Sequence, residues 1–154
     1  MDRFKFVAAV YVLFERDGKV LLMRRHNTGW ANGWFTLPAG HVDQGEHLVE
    51  AAVREAREET GVSVAVEDMT LFHVSHSVYG PNDQCLDFFF RAQKWTGDFC
   101  NNEPDKCDLM DWYPRSALPE KLLRNVRAAL GSPGGLGLQE FPLLAEEGMA
   151  ILKA

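Results

Sequence analysis

Cysteine is scarce in this sequence, which contains only Cys85, Cys100 and Cys107. An odd number of widely spaced cysteines does not form the closed disulfide framework of a small secreted domain. A zinc site built on Cys100 and Cys107 would need two further ligands, and none is evident nearby in the sequence. We therefore expect reduced, mainly structural thiols in a cytoplasmic protein.

Long apolar runs and an excess of positive charge are also missing. The run from Val7 to Phe14 is too short to span a bilayer, and a charged turn ending in Asp17 and Gly18 follows it where a signal peptide would have a cleavage site. We therefore predict a buried strand here and no membrane segment. The formal net charge of −6 argues against a nucleic-acid polymer as the main partner. A small phosphate ligand remains compatible with this charge, because a bound metal ion can reverse the local sign.

The most informative stretch that is present is an amphipathic helix predicted over Leu48 to Thr60. Gly61 follows it, where a left-handed residue commonly ends a helix. At about 100° per residue, an apolar stripe of ordinary width faces the core, formed by Leu48, Val49, Ala52, Val53 and Ala56. Glu55, Glu58 and Glu59 share one side of the helix and border this stripe.

These three glutamates suggest a metal site. Like charges spaced three and four residues apart on a helix destabilise it by roughly 0.2–0.5 kcal/mol per pair, and Arg54 is the one nearby cation, within reach of Glu58. A solvated acidic face is the alternative interpretation. A divalent cation would turn the repulsion into coordination, and Mg²⁺ prefers oxygen ligands. Mn²⁺ is the alternative ion.

The spacing around this helix resembles the Nudix box, with every fixed position filled. The matching positions are Gly40-x5-Glu46-x7-Arg54-Glu55-Ala56-Arg57-Glu58-Glu59-Thr60-Gly61-Val62. Ala56 stands where the family usually carries a bulkier aliphatic residue. Weaker similarity extends from about Val7 to Pro119.

The order of elements predicts an α/β fold, an α/β/α sandwich with a mixed β-sheet, which is also the fold that the resemblance implies. The elements expected are strands at 6–14, 19–25, 62–66, 69–79 and 85–95, a short strand ending near Trp112, and a second helix over Glu120 to Leu130. We expect residues 1–130 to form the Nudix-like domain. Residues 131–154, a glycine-rich joint and a tail, have no predicted role beyond the options of a dimer arm, a lid or no ordered structure.

The resemblance also implies roles for individual residues. The implied metal ligands are one backbone carbonyl and four glutamates: Ala39, Glu55, Glu58, Glu59 and Glu103. Glu58 or Glu103, whichever is less engaged with metal, would act as the general base, and Arg54 is counted with the catalytic residues. Arg25 would contact the phosphates or the base of the substrate. Apart from the resemblance, Trp34 and Phe35 lie beside the expected phosphate site and are candidates to stack on a base, although core or lid packing is the more common role of such residues.

Asp87 is interpreted as a carboxylate at the end of a turn, with ligand contact in the cleft as the alternative. The histidines His41 and His47 are left out of the catalytic set.

The activity implied by the resemblance is Mg²⁺-dependent hydrolysis of a pyrophosphate bond in a nucleoside diphosphate linked to a further group. A nucleoside triphosphate, damaged ones included, is the favoured small-molecule substrate, and ADP-ribose or a nucleotide sugar is the alternative. A catalytically silent nucleotide-sensing module is the alternative from another class. Homodimer formation is left open.

Overall fold

Two β-sheets carry the fold in a computed structural model, which describes residues 3–142. The larger sheet contains β1 (Val7–Leu13), β5 (Ala39–His41), β6 (Met69–Gly80), β7 (Asp83–Ala92) and β9 (Gly137–Phe141). Its strand order is β5-β1-β7-β6-β9. The sheet is mixed, because β1 runs parallel to β7 and antiparallel to β5, while β6 runs antiparallel to β7 and parallel to β9.

The smaller sheet is antiparallel and is built around one central strand. Its members are β2 (Glu15–Arg16), β3 (Lys19–Arg25), β4 (Phe35–Thr36) and β8 (Cys107–Pro114). Strand β3 pairs with each of the other three.

Two helices cover opposite faces of the larger sheet, namely α1 (Leu48–Thr60) and α2 (Arg124–Leu130). Strand β1 shows why two cores form, since successive side chains of a strand point to opposite faces. Tyr11 and Leu13 belong to the hydrophobic cluster that includes Val126 of α2. Val10 and Val12 belong to the cluster that includes the buried alanines of α1. The predicted α/β/α sandwich with a mixed sheet is therefore confirmed.

Helix α1 has the predicted bounds, and local interactions account for both ends. At its start the His47 N–H donates to the Glu50 side chain at 2.8 Å. At its end Gly61 has a φ of 78° and its N–H donates to the Arg57 carbonyl at 3.0 Å. A Cβ at Gly61 would lie 2.6 Å from Cys100 Sγ, so both the backbone conformation and the close packing favour glycine here.

Three predicted elements differ from the structure. The expected strand at 62–66 is reduced to a single bridge between Ser63 and Thr96, and a short 3-10 helix, Val66–Asp68, follows it. The turn at 17–18 joins β2 to β3, so the first long strand does not pair with the second as a simple hairpin. The second helix begins at Arg124 and not at residue 120, because Leu122 forms a bridge with Phe35 that holds the preceding residues extended.

Part of the expected tail belongs to the larger sheet. Strand β9 pairs in parallel with β6, with Gly137 opposite His73 and Phe141 opposite Ser77. Residues 143–154 lie outside the described residues, so the rest of the tail has no structural description. The division of the chain at residue 130 stays a prediction. No helix within residues 3–142 is long and apolar enough to cross a membrane.

Candidate active site

A cavity of about 340 Å³ brings together most of the residues predicted to form the site. The predicted residues that line it are Arg25, Ala39, Glu55, Glu58, Glu59 and Glu103. Three of the four glutamates come from α1 and the fourth comes from the loop before β8. The helical period alone accounts for the first three sharing one side.

Glu55 is the most buried of these carboxylates, with 9% of its surface exposed. Burial raises the pKa of Glu55, although the adjacent Arg54 opposes the rise. Gly40 makes room for this carboxylate, because a Cβ on Gly40 would overlap the Glu55 carboxyl group. The glycine at this position is therefore needed for close approach of β5 to α1.

Arg54 connects the glutamates of the site to one another. Its guanidinium donates to Glu55 at 2.6 Å, to Glu58 at 3.2 Å and, through two nitrogens, to both carboxylate oxygens of Glu46 at 2.8 and 3.0 Å. The same group also donates to the His41 carbonyl at 3.0 Å. The hydrogen bonds from Arg54 lower the pKa of Glu46. These contacts give Arg54 a positioning role, and direct contact with a substrate stays a prediction.

Glu59 is held by the backbone of β5. The Ala39 N–H donates to Glu59 Oε2 at 2.9 Å. Burial raises the pKa of Glu59 to about 8, and this backbone hydrogen bond opposes the rise without cancelling it. Glu59 is therefore a carboxylate whose negative charge is poorly compensated by the protein.

Glu103 lines the cavity from the loop before β8 and is paired with Lys106 at 3.1 Å. A turn that begins at Glu103 presents its side chain, since the N–H groups of Lys106 and Cys107 both donate to the Glu103 carbonyl at 3.0 Å. Lys106 also lines the cavity. The sequence analysis missed this lysine, although its position three residues after Glu103 is a spacing typical of a local ion pair.

The donor set fits a hard divalent cation in its chemistry. Four carboxylates line one cavity, and burial has raised the pKa of two of them, Glu55 and Glu59. Within residues 3–142, however, no three His, Cys, Asp or Glu side chains stand close enough together to hold a metal as they are placed. Each carboxylate instead contacts a protein partner: Arg54 for Glu55 and Glu58, the Ala39 N–H for Glu59 and Lys106 for Glu103. Cation binding would therefore have to exchange some of these partners for the ion.

The aromatic residues predicted to bind the substrate are placed differently. Trp34 and Phe35 pack against the cluster that contains α2, and Phe35 lies edge-on to Tyr113 with ring centroids 5.2 Å apart. Neither residue lines this cavity or the second cavity described next. Trp30 holds the position nearest the expected one, because the guanidinium of Arg25 lies 4.3 Å from its ring centroid. In the sequence, the feature that points to Trp30 is its position in the polar segment that follows Arg25.

A second cavity, of about 520 Å³, adjoins the first. His41 lines both cavities, and Trp30, Tyr11 and Asp87 also line the second. Asp87 was interpreted as a turn-end carboxylate, and that interpretation is wrong. It lies inside β7, with 2% of its surface exposed, on the face that α2 covers.

Four carboxylates beside basic residues on an α/β/α sandwich define a candidate site for a divalent cation and a phosphate-bearing substrate. The NUDIX domain family model matches residues 4–130, and the chain belongs to that family. The box recognised in the sequence lies within the matched region, so the resemblance is confirmed.

Individual relatives support the family assignment. The chain is 34% identical over 103 residues to Nucleoside diphosphate-linked moiety X motif 6 of Xenopus laevis, covering 65% of this chain and 46% of that protein. It is 44% identical over 61 residues to the ADP-ribose pyrophosphatase of Methanocaldococcus jannaschii, covering 40% of this chain and 36% of that protein. The chain thus spans less than half the length of these curated relatives. The crystal structure of a MutT NUDIX hydrolase from Burkholderia pseudomallei superposes with a TM-score of 0.75 at 28% identity, covering 82% of this chain and 96% of that one.

Proposed function

We propose that this chain hydrolyses a pyrophosphate bond in a nucleoside diphosphate linked to a further group, in a reaction that requires Mg²⁺. The observation that carries the proposal is the convergence of four glutamates from two separate elements on one cavity that also contains Arg25 and Lys106. The names of the two relatives, a nucleoside diphosphate-linked moiety X protein and an ADP-ribose pyrophosphatase, support the same reaction class.

The residues that would hold the ion are Glu55, Glu58, Glu59 and Glu103, together with the Ala39 carbonyl. Mg²⁺ bound there would neutralise charge on the phosphate oxygens and lower the pKa of an attacking water. Glu55 and Glu59 suit this role because burial raises the pKa of both, and a bound cation would stabilise their ionised form. Arg54 keeps three glutamates at defined positions without occupying the cavity wall itself.

Glu58 is the proposed general base. Its side chain is 53% exposed, and its contact with Arg54 at 3.2 Å is longer than the 2.6 Å contact of Glu55. A carboxylate with such freedom can accept a proton from water and release it to solvent. Glu103 is the second candidate, but its pairing with Lys106 must first be broken.

Arg25 and Lys106, which line the same cavity, would bind phosphate oxygens. Burial lowers the pKa of Arg25, but a guanidinium remains charged throughout the physiological range. The Trp30 carbonyl accepts from Arg25 Nε at 3.2 Å, so this guanidinium is fixed in position before the substrate binds. A nucleoside triphosphate is the favoured substrate, and ADP-ribose or a nucleotide sugar is the alternative. The relative from Methanocaldococcus jannaschii, an ADP-ribose pyrophosphatase, supports ADP-ribose.

The test is cleavage of a panel of nucleoside triphosphates, ADP-ribose and nucleotide sugars, with the products identified by mass spectrometry. A triphosphate should release phosphate or pyrophosphate, ADP-ribose should give AMP and ribose 5-phosphate, and a nucleotide sugar should give a nucleoside monophosphate and a sugar phosphate. Cleavage should require Mg²⁺ and stop with EDTA. Glu58→Gln should lower kcat by about 10²-fold or more, whereas Glu67→Gln, an exposed position outside the cavity, should have the wild-type rate. If no substrate is cleaved but nucleotides still bind, the nucleotide-sensing alternative is favoured. A cytoplasmic location and homodimer formation stay predictions.

A further inference from the structure

The second cavity has a composition suited to a planar ligand. Three aromatic side chains line it, those of Tyr11, Trp30 and Tyr79. Tyr11 is fixed in place by stacking on Phe89, with ring centroids 4.6 Å apart and planes 18° from parallel. Flat aromatic walls bind nucleobases by stacking, whatever the base.

The position of this cavity relates it to the carboxylate cavity. His41 lines both, and the guanidinium of Arg25, which lines the first, stacks on Trp30, which lines the second. A nucleotide whose phosphates lie at the glutamates would therefore have its base directed toward the aromatic cavity.

A buried carboxylate provides the polar group of the second cavity. Asp87 lines the cavity with 2% of its surface exposed, whereas Val7 and Trp30 in the same wall are 44% and 36% exposed. Asp87 therefore lies at the inner end. Among the ion pairs within residues 3–142, none involves Asp87. Burial raises its pKa, as expected for a carboxylate without a cationic partner.

Hydrogen bonds from the protein orient this carboxylate and leave acceptor capacity on both oxygens. Asn125 Nδ2 donates to Asp87 Oδ2 at 3.0 Å, and the Cys85 thiol donates to Asp87 Oδ1 at 3.0 Å. The other end of the Asn125 amide accepts from the Val126 N–H at 2.9 Å, which sets the amide orientation. Each carboxylate oxygen has two acceptor sites, so each can accept one further hydrogen bond.

Two neighbouring acceptors select a ligand with two neighbouring donors. Of the four common nucleobases, guanine alone presents two adjacent donors on its pairing edge, the ring N1–H and the 2-amino group. Adenine and cytosine present one amino group beside an acceptor nitrogen, which would repel a carboxylate oxygen. Uracil presents a single N–H between two carbonyl oxygens. We propose that the second cavity binds the nucleobase of the substrate and that Asp87 selects a guanine-type edge, an inference that rests on the proposed function.

Binding in the absence of metal tests this inference without hydrolysis. Titration of GMP and AMP in EDTA, followed by calorimetry and by quenching of Trp30 fluorescence, should show GMP binding about 10- to 100-fold more tightly, the range that a two-donor contact supplies. Trp30→Phe should remove most of the quenching. Equal affinity of the wild-type protein for GMP and AMP would overturn the inference without the need for any variant.

Asp87→Asn is the decisive variant, because it preserves shape and can still accept from Asn125. It should bind GMP about 10- to 100-fold more weakly and leave the affinity for AMP within about threefold. Asp98→Asn is the matched control, since it makes the same chemical change at an exposed position outside both cavities; its affinities should equal those of the wild type. Equal losses for GMP and AMP in Asp87→Asn would mean that Asp87 only supports the fold, and the inference would be rejected.

Turnover separates failure of this inference from failure of the proposed function. With Mg²⁺, kcat/KM for GTP should exceed that for ATP, CTP and UTP, and Asp87→Asn should reduce this preference by about 10-fold or more. Equal kcat/KM for all four would reject guanine selection and leave the hydrolase proposal intact. Selective GMP binding without cleavage of any nucleotide would reject the hydrolase proposal and leave the base site intact.

Discussion

Replacing Glu59 by glutamine should stabilise the metal-free protein at pH 8 and have little effect at pH 5. Burial raises the pKa of Glu59 to about 8 from an ordinary value of 4.5. Between these two pH values the folded state binds more protons than the unfolded state, so the free energy of unfolding falls as the pH rises. Glutamine carries no charge and can still accept from the Ala39 N–H, which donates to Glu59 at 2.9 Å in the wild type.

The size of the effect follows from the same shift. One proton changes stability by at most about 1.4 kcal/mol per pH unit, so the interval from 4.5 to about 8 sets an upper limit of about 5 kcal/mol. Glu59 is partly open to the cavity, and water there reduces the penalty. We therefore expect Glu59→Gln to gain about 1–3 kcal/mol at pH 8 and about 0.5 kcal/mol or less at pH 5.

Urea unfolding in EDTA at a series of pH values measures this difference. Glu58→Gln is the control on the same helix, because its side chain is half exposed. The reasoning is refuted if Glu59→Gln is no more stable than the wild type at pH 8, or if its gain is the same at pH 5. Added Mg²⁺ should stabilise the wild type more than Glu59→Gln, because a ligand of the folded state raises its stability by mass action.

Three further substitutions probe the framework of the site. Arg54→Lys cannot reproduce the paired contact with Glu46, so its free energy of unfolding in urea should fall by about 1–2 kcal/mol. Its Mg²⁺-dependent turnover should fall at least 10-fold. Turnover at the wild-type rate would exclude the positioning role of Arg54. Gly40→Ala should displace the Glu55 carboxyl group and abolish turnover while circular dichroism stays native, and normal turnover would show that Glu55 is dispensable. Gly61→Ala should lower the free energy of unfolding by about 1–2 kcal/mol, because it combines a left-handed φ with a clash on Cys100 Sγ. If adding Cys100→Ala restores none of this stability, the packing part of the explanation is wrong.

Local patterns in the sequence predicted the elements that are held together by local interactions. Helix α1 was predicted with the correct ends because its hydrogen bonds, its apolar period and its terminal Gly61 all lie within a few residues of one another. The strand expected at 62–66 failed for the opposite reason. Its pairing depends on a single distant partner, Thr96, and β-branched residues without a continuous neighbouring strand do not form a ladder.

The same distinction applies within the site. Glu55, Glu58 and Glu59 were predicted together because one helix places them together. Lys106 was not predicted, because the geometry of a loop brings it to the cavity. Trp34 and Phe35 have the composition of a stacking surface, yet in the structure they pack against the α2 cluster.

By itself, the sequence determined the family, the acidic helix and the three glutamates on it, because spacing along one helix and one box of residues specifies them. Only the tertiary structure decided that Glu103 lines the same cavity as that helix and that Asp87 meets Asn125, 38 residues away, in the wall of a second cavity. The physical reason is that burial and hydrogen-bond partners of this kind arise only when distant strands and helices pack. No local pattern along the chain carries that information.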